Sequence, residues 1–253
     1  MTQPTEPVQA GEGEVLFKTY AALKWVSIVL AIGSTASALT LAFLDEKLFR
    51  TVHSEDAWVE WTGVAALLLA GLLGLAWFIG LRLKTGQWRL KRHWFYLFAF
   101  VFGVLCAGEE ISYGQRLLGF ETSEFFNSFN AQKEVNVHNV VQEVVFNVKT
   151  KHIAGLVFLI YGVIVPLMIR YGKARPSGAE WIGLPFPPYF LVPLWICGLI
   201  LVIDFPTGFE EETAETLYAV GLVIFMLFEG LRLFRPGLVP NDAAPPTGPL
   251  PVP

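Results

Sequence analysis

Two adjacent carboxylates close an apolar stretch in the middle of the chain, where Trp94 to Ala107 runs into Gly108-Glu109-Glu110-Ile111-Ser112-Tyr113-Gly114-Gln115-Arg116. An ionised group costs about 2.5–3.5 kcal/mol at the centre of a bilayer and much less near its surface, so the pair needs compensation if that stretch spans a membrane. Carboxylates so placed could act as general base or metal ligand, with Arg116 holding an anionic group such as a phosphate. Drawn as a continuing helix, Glu109, Ser112 and Arg116 fall at i, i+3 and i+7 on one face, with Glu110 and Tyr113 to its side. Gln115 adds an amide to the same wall. The same residues also read as an interfacial ion-pair and capping network.

A second polar cluster follows, containing Asn136, His138, Asn139, Gln142 and Glu143. Helical spacing would pair His138 with Gln142 and Asn139 with Glu143. One imidazole, joined by carboxylates from other helices and by Glu110 first, could bind a divalent metal and activate water. No His-x-x-x-His or His-Glu-x-x-His spacing accompanies it, and a hydrogen-bonded structural histidine explains the same residues. Soluble-enzyme signatures are absent: there is no Gly-rich nucleotide loop, no G-x-S-x-G and no paired-cysteine motif. Cys106 and Cys197 lie in apolar segments, where a thiol behaves as a small hydrophobe.

The elements that must position these groups are apolar helices. The chain is 54% hydrophobic and 16% charged, with 21 Phe and 8 Trp, a composition that points to an integral membrane protein. A net charge of −4 and scattered basic residues exclude a nucleic-acid footprint. A span needs about 20 mostly apolar residues, and six candidates meet or approach that length: Leu23 to Leu44, Trp58 to Leu83, Trp94 to Gly108, His152 to Tyr171, Pro188 to Phe205 and Ala214 to Phe234. The first contains Ser34-Thr35-Ala36-Ser37-Ala38, which also fits a signal-peptidase site, but apolar residues continue beyond it and favour a retained helix. Pro166 could kink the fourth. Residues 1–14 and 236–253 read as flexible ends, 15–235 as an all-α membrane bundle, and 116–151 as an outer loop or cap. Within that loop, Phe120 to Phe129 reads as a short amphipathic helix with Thr122 or Ser123 as N-cap.

Basic residues in short loops favour the cytoplasm. Placing both termini there puts Arg82, Lys84, Arg89, Lys91 and Arg92, Arg170, Lys173 and Arg175, and Arg232 and Arg235 inside. The acids distribute in reverse. Glu60, Glu109, Glu110, Asp204 and Glu215 would then lie at one depth, forming a polar pocket at the outer ends of four helices. Glu229 falls near the inner end of the last span, and Arg232 three residues later would pair with it.

The string from Gly108 to Arg116, followed by Phe120-Glu121-Thr122 and Asn136-Val137-His138-Asn139, resembles an uncharacterised group of bacterial multi-pass membrane proteins, and Glu60-Trp61 is similar to it too. That resemblance implies an inner-membrane location and supports the choice of residues without bringing an activity. A fainter similarity is to ceramidase-like membrane hydrolases, whose multiple-histidine arrangement this chain lacks. Two functional expectations follow. One is a membrane-embedded hydrolase or group transferase acting on a lipid or lipid-linked substrate: Glu109, Glu110 and His138 are catalytic, Glu110 and His138 are candidate metal ligands, and Arg116, Ser112, Gln115, Asn136, Asn139 and Glu60 bind. The other is a protein that binds or transports a cation or solute, or docks another membrane protein.

Overall fold

The computed structural model describes residues 10–53, 57–86, 90–129, 135–137, 150–171, 183–203, 205–208 and 210–234. All regular structure among them is helical. Helix α1 (Ala10–Leu44) is followed by the short α2 (Glu46–His53), then α3 (Trp58–Thr85) and α4 (Leu90–Glu110). Two short helices come next, α5 (Gln115–Leu118) and α6 (Glu124–Phe129). Helix α7 (Thr150–Val157) runs through a π-helical stretch (Phe158–Ile164) into α8 (Val165–Tyr171). A 3-10 turn (Tyr189–Leu191) leads into α9 (Val192–Leu201), and α10 (Glu210–Phe234) closes the bundle.

Four helical stretches are long and apolar enough to cross a membrane: Lys18–Leu44, one within Glu46–Thr85, Lys151–Tyr171 and Glu210–Phe234. The fifth expected span is the shorter apolar helix Tyr189–Leu201. The third is α4, whose apolar centre sits between His93 and Glu109-Glu110. Outward-facing Trp25, Val29, Ile32, Leu72, Leu105 and Ile160 are exposed, as expected of residues that meet lipid tails instead of water.

Helices α3, α4 and α10 form the heart of the bundle. In lipid, helices associate through close packing of small residues, because apolar burial itself supplies no drive. A Cβ on Gly74 would stand 2.7 Å from the Tyr96 carbonyl oxygen, and one on Gly103 would stand 2.5 Å from that of Leu67. These two glycines bring α3 and α4 together antiparallel. Helix α10 runs parallel to α3: the Thr216 hydroxyl donates to the Val59 carbonyl at one end (2.9 Å), and the Lys84 ammonium donates to the Leu233 carbonyl at the other (3.0 Å). Between them the Trp77 indole donates to the Met226 carbonyl at 2.8 Å. On the other side of α10, Trp195 of α9 and Tyr218 of α10 are buried and fill the space beside Gly162, Gly221 and Gly198.

The π-helical stretch ends just before Pro166. Proline offers no N–H to the preceding turn, and widening that turn accommodates the lost bond. The irregularity allowed for at Pro166 is thus a π-helical stretch just ahead of it. One further boundary differs from the sequence reading. Helix α10 begins at Glu210 instead of Ala214, so its three glutamates form its first turn, where the N-terminal dipole favours them. Fully buried Glu210 also accepts from the Thr207 and Gly208 backbone N–H groups at 2.9 and 3.0 Å, which ties down the entry to the helix.

Candidate functional site

The polar string after α4 does not continue as a helix, which overturns the expected shared face of Glu109, Ser112 and Arg116. Helix α4 ends at Glu110, and Ser112, Tyr113 and Gly114 have φ values of 48°, 51° and 82°. Left-handed backbone costs an L-residue about 1–2 kcal/mol, so the turn at Ser112 and Tyr113 must be held by contacts. The Tyr113 ring packs over Gly108, where a Cβ would lie only 2.8 Å from it. Its phenol donates to Glu109 Oε1 at 2.6 Å. Partial burial, and after it the Glu109 carboxylate, push this phenol up to about 12, so it remains a donor at all physiological pH values.

That reversal separates the two adjacent acids. Glu109 Oε2 accepts the Val137 backbone N–H at 2.8 Å, while the Glu109 carbonyl accepts the Asn136 side-chain amide at 3.3 Å. Gln115 does parallel work: its Oε1 accepts the Val135 N–H at 2.7 Å, and its amide donates to Thr122. Glu109, Gln115 and buried Asn136 therefore fasten residues 135–137 to the end of α4. Ser112 is buried in the turn itself. The side chain of Arg116, and the whole of His138 and Asn139, lie outside the described residues, as does Asp204.

Glu110 turns elsewhere. With Glu60, Glu212 and Glu215 it lines a cavity of about 10 Å³, which Gly63, Leu67 and Thr216 complete. That volume is about what one water molecule requires. Each acid is delivered by a different feature: Glu60 by the first turn of α3, Glu110 by the last residue of α4, and Glu212 and Glu215 by one face of α10 at i and i+3. Glycine at position 63 makes the meeting possible, because even its hypothetical Cβ would stand 3.1 Å from the Thr216 hydroxyl. Glu60 is 7% exposed, and Lys151, at 8%, places its ammonium against Glu211 at the rim.

Of the expected site, the structure brings Glu60, Glu110 and Glu215 together and assigns Glu109, Gln115 and Asn136 to the loop clamp. Glu212 and Lys151 are additions. Glu212 was visible only as part of an outer acidic run, and its helical phase with Glu215 appears once α10 is known to begin at Glu210. Among the described residues no three His, Cys, Asp or Glu side chains are arranged to hold a metal ion, and the expected Glu110–His138 pairing falls outside those residues.

A second buried polar cluster lies at the opposite end of α10. Glu229 is fully buried, and its Oε2 accepts from the Tyr96 phenol and the Arg232 guanidinium, both at 2.7 Å. The expected Glu229–Arg232 pair is present, and Tyr96 is a third member that no spacing rule indicated. Searches with the whole chain find no family model, no curated protein and no solved structure that matches it.

Proposed function

We propose that this is a multi-pass membrane protein, with both termini cytoplasmic, that binds small cations, the proton foremost, in a carboxylate pocket at its extracytoplasmic face. The observation that carries the reading is the convergence of Glu60, Glu110, Glu212 and Glu215 on a cavity of one water's size. Carboxylates gathered on so small a cavity repel one another, so a proton or small cation among them relieves that repulsion. Supporting the orientation, the acids cluster where α3 and α10 begin and α4 ends, while Lys84 and Arg232 lie at the other ends of these helices.

The lipid hydrolase or transferase reading has less support. Among the described residues the cavity has the volume of about one water, and its one hydroxyl, on Thr216, already donates to Val59. Glu109, the expected base, spends both oxygens on Tyr113 and Val137.

Infrared spectroscopy of the detergent-purified protein tests the cation reading. Near neutral pH, well above the ordinary glutamate pKa of about 4.3, the wild type should still show a protonated-carboxyl absorption. That absorption should weaken in Glu215→Gln and in Glu110→Gln, and persist in Glu121→Gln. A wild type whose carboxyl groups are all ionised at that pH, with no response to added Na⁺ or Ca²⁺, defeats the reading.

A further inference from the structure

Several polar groups of the bundle's interior fall in line along one helix. On α10, Glu215, Tyr218, Gly221, Phe225, Glu229 and Arg232 follow one another at steps of three or four residues and so share one face. At Tyr218 the phenol oxygen is buried with no hydrogen-bond partner among the described residues. At Gly221 the partner side chain is Trp195, whose buried indole N–H has no acceptor among the described residues and stands where a Cβ on Gly221 would come within 2.2 Å. Next along, Tyr161 packs edge-on to Phe225 with ring centroids 6.3 Å apart. At Glu229, Oε1 is buried with no hydrogen-bond partner among the described residues, while Oε2 carries both Tyr96 and Arg232.

Buried polar atoms almost always find a partner, and each exception calls for a reason. Of the eight such side-chain atoms among the described residues, Tyr218 and Glu229 contribute two on this face of α10, and Trp195 of α9 contributes a third packed against it. The π-helical stretch lies alongside this face: it supplies Phe158, stacked on Tyr218 at 4.1 Å and set against Trp195 at 5.8 Å, and it supplies Tyr161. Wide turns of this kind recur at functional positions in helices.

We propose that this face of α10 is a proton path joining the outer carboxylate pocket to Glu229, so that the protein moves protons across the membrane. The inference rests on the pocket being a proton site and adds the route. Glu215 and Glu229 are fourteen residues apart, about 21 Å along the helix, most of a bilayer's apolar thickness. Only proton transfers occur. A carboxylic acid of the pocket releases its proton toward Tyr218, whose oxygen takes it up as the phenol's own proton leaves on the far side. Water then carries it past Trp195, which can donate but not relay. Glu229 accepts it on Oε1, and the paired Oε2 stays in place. Discharge from Glu229 to the cytoplasmic side, past Arg232, restores the starting state, so one proton has crossed and no group is altered. Lys151 with Glu211, Glu212, Glu60 and Glu110 sets the charge around the entrance, and Tyr96 and Arg232 set it around the exit.

Full-length protein in phosphatidylcholine vesicles containing a pH-sensitive dye, with a potassium diffusion potential set by valinomycin, measures the transfer. Wild type should acidify the interior faster than protein-free vesicles. Tyr218→Phe and Glu229→Gln should each lower that rate by about a hundredfold, the order of effect of removing a positioned proton-transfer group. Tyr218→Phe removes an oxygen with no hydrogen-bond partner among the described residues, so it keeps the fold even if Glu229→Gln does not. Both variants should retain the protonated-carboxyl absorption of the outer pocket. No flux above empty vesicles, or flux unchanged by Tyr218→Phe, overturns the path and leaves the pocket standing if that absorption is present. Absence of the absorption in wild type instead removes the pocket on which the path depends.

Discussion

Tyr113 is held by its own strand of neighbours: its ring over Gly108, its phenol on Glu109, its backbone at φ 51° between Ser112 and Gly114. Replacing Gly108 by Ala puts a methyl group 2.8 Å from that ring. The ring cannot retreat without undoing the left-handed turn, so a loss of about 1–3 kcal/mol is expected, the usual cost of overpacking. Thermal unfolding in detergent measures it; an unchanged midpoint would mean that the turn is not held by this contact. Tyr113→Phe keeps the ring and removes the donor to Glu109. The group is partly exposed, so about 1 kcal/mol is expected, near the ordinary value for one hydrogen bond. The phenol's raised pKa adds a pH signature. Folding favours its neutral form, so its contribution is complete below the unfolded value of about 10 and disappears as pH rises through about 12. A difference absorbance titration of wild type against Tyr113→Phe should therefore isolate a phenolate transition near 12 and not near 10.

At the scale of helices, the pocket depends on how closely α3 and α4 approach. Gly103→Ala forces a methyl group against the Leu67 carbonyl, which as backbone cannot move aside as a side chain would. The helices must separate, again at about 1–3 kcal/mol, and Glu110 at the end of α4 moves away from Glu60 on α3. The expected outcome is a double one: a lower unfolding temperature, and the same weakened protonated-carboxyl absorption as in Glu110→Gln. Loss of stability with an intact absorption would show that the acids meet without help from this contact. The helices themselves were legible, because runs of apolar residues of span length leave little alternative. The meeting of Glu60, Glu110 and Glu215 was legible too, from charge asymmetry between the loops. The end of α4 was not. Periodicity carries no mark of a left-handed turn at Ser112 and Tyr113, and spacing therefore placed Glu109 and Arg116 on a common wall. The start of α10 was misplaced for a related reason: three glutamates read as loop, although a helix N-terminus welcomes them. Tyr96 joined Glu229 unannounced because partners on separate helices have no spacing to read.

Over the whole molecule, charge is sorted by end, with Glu60, Glu110, Glu211, Glu212 and Glu215 at one and Lys84, Glu229 and Arg232 at the other. Basic residues kept on one side favour a single orientation during insertion. Glu229 and Lys151 break the sorting: Lys151 meets Glu211 at the acidic end, and Glu229 is tolerable only because Arg232 and Tyr96 meet it. Arg232→Met should show how far the bundle relies on that match. It would leave a fully buried carboxylate with the Tyr96 phenol alone, and breaking one side of a buried pair costs about 3–5 kcal/mol. Because the Arg232 side chain is itself 27% exposed, the lower end of that range, about 3 kcal/mol, is the expected loss. Glu229→Gln combined with Arg232→Met removes both charges and leaves the amide able to accept from Tyr96. The double variant should recover most of the loss, giving a coupling between the two sites of at least about 1 kcal/mol. Unfolding midpoints of the wild type, both single variants and the double variant in one detergent complete the cycle. Additive losses would mean that Glu229 finds its compensation elsewhere, and that the inner end of α10 is not held by this pair.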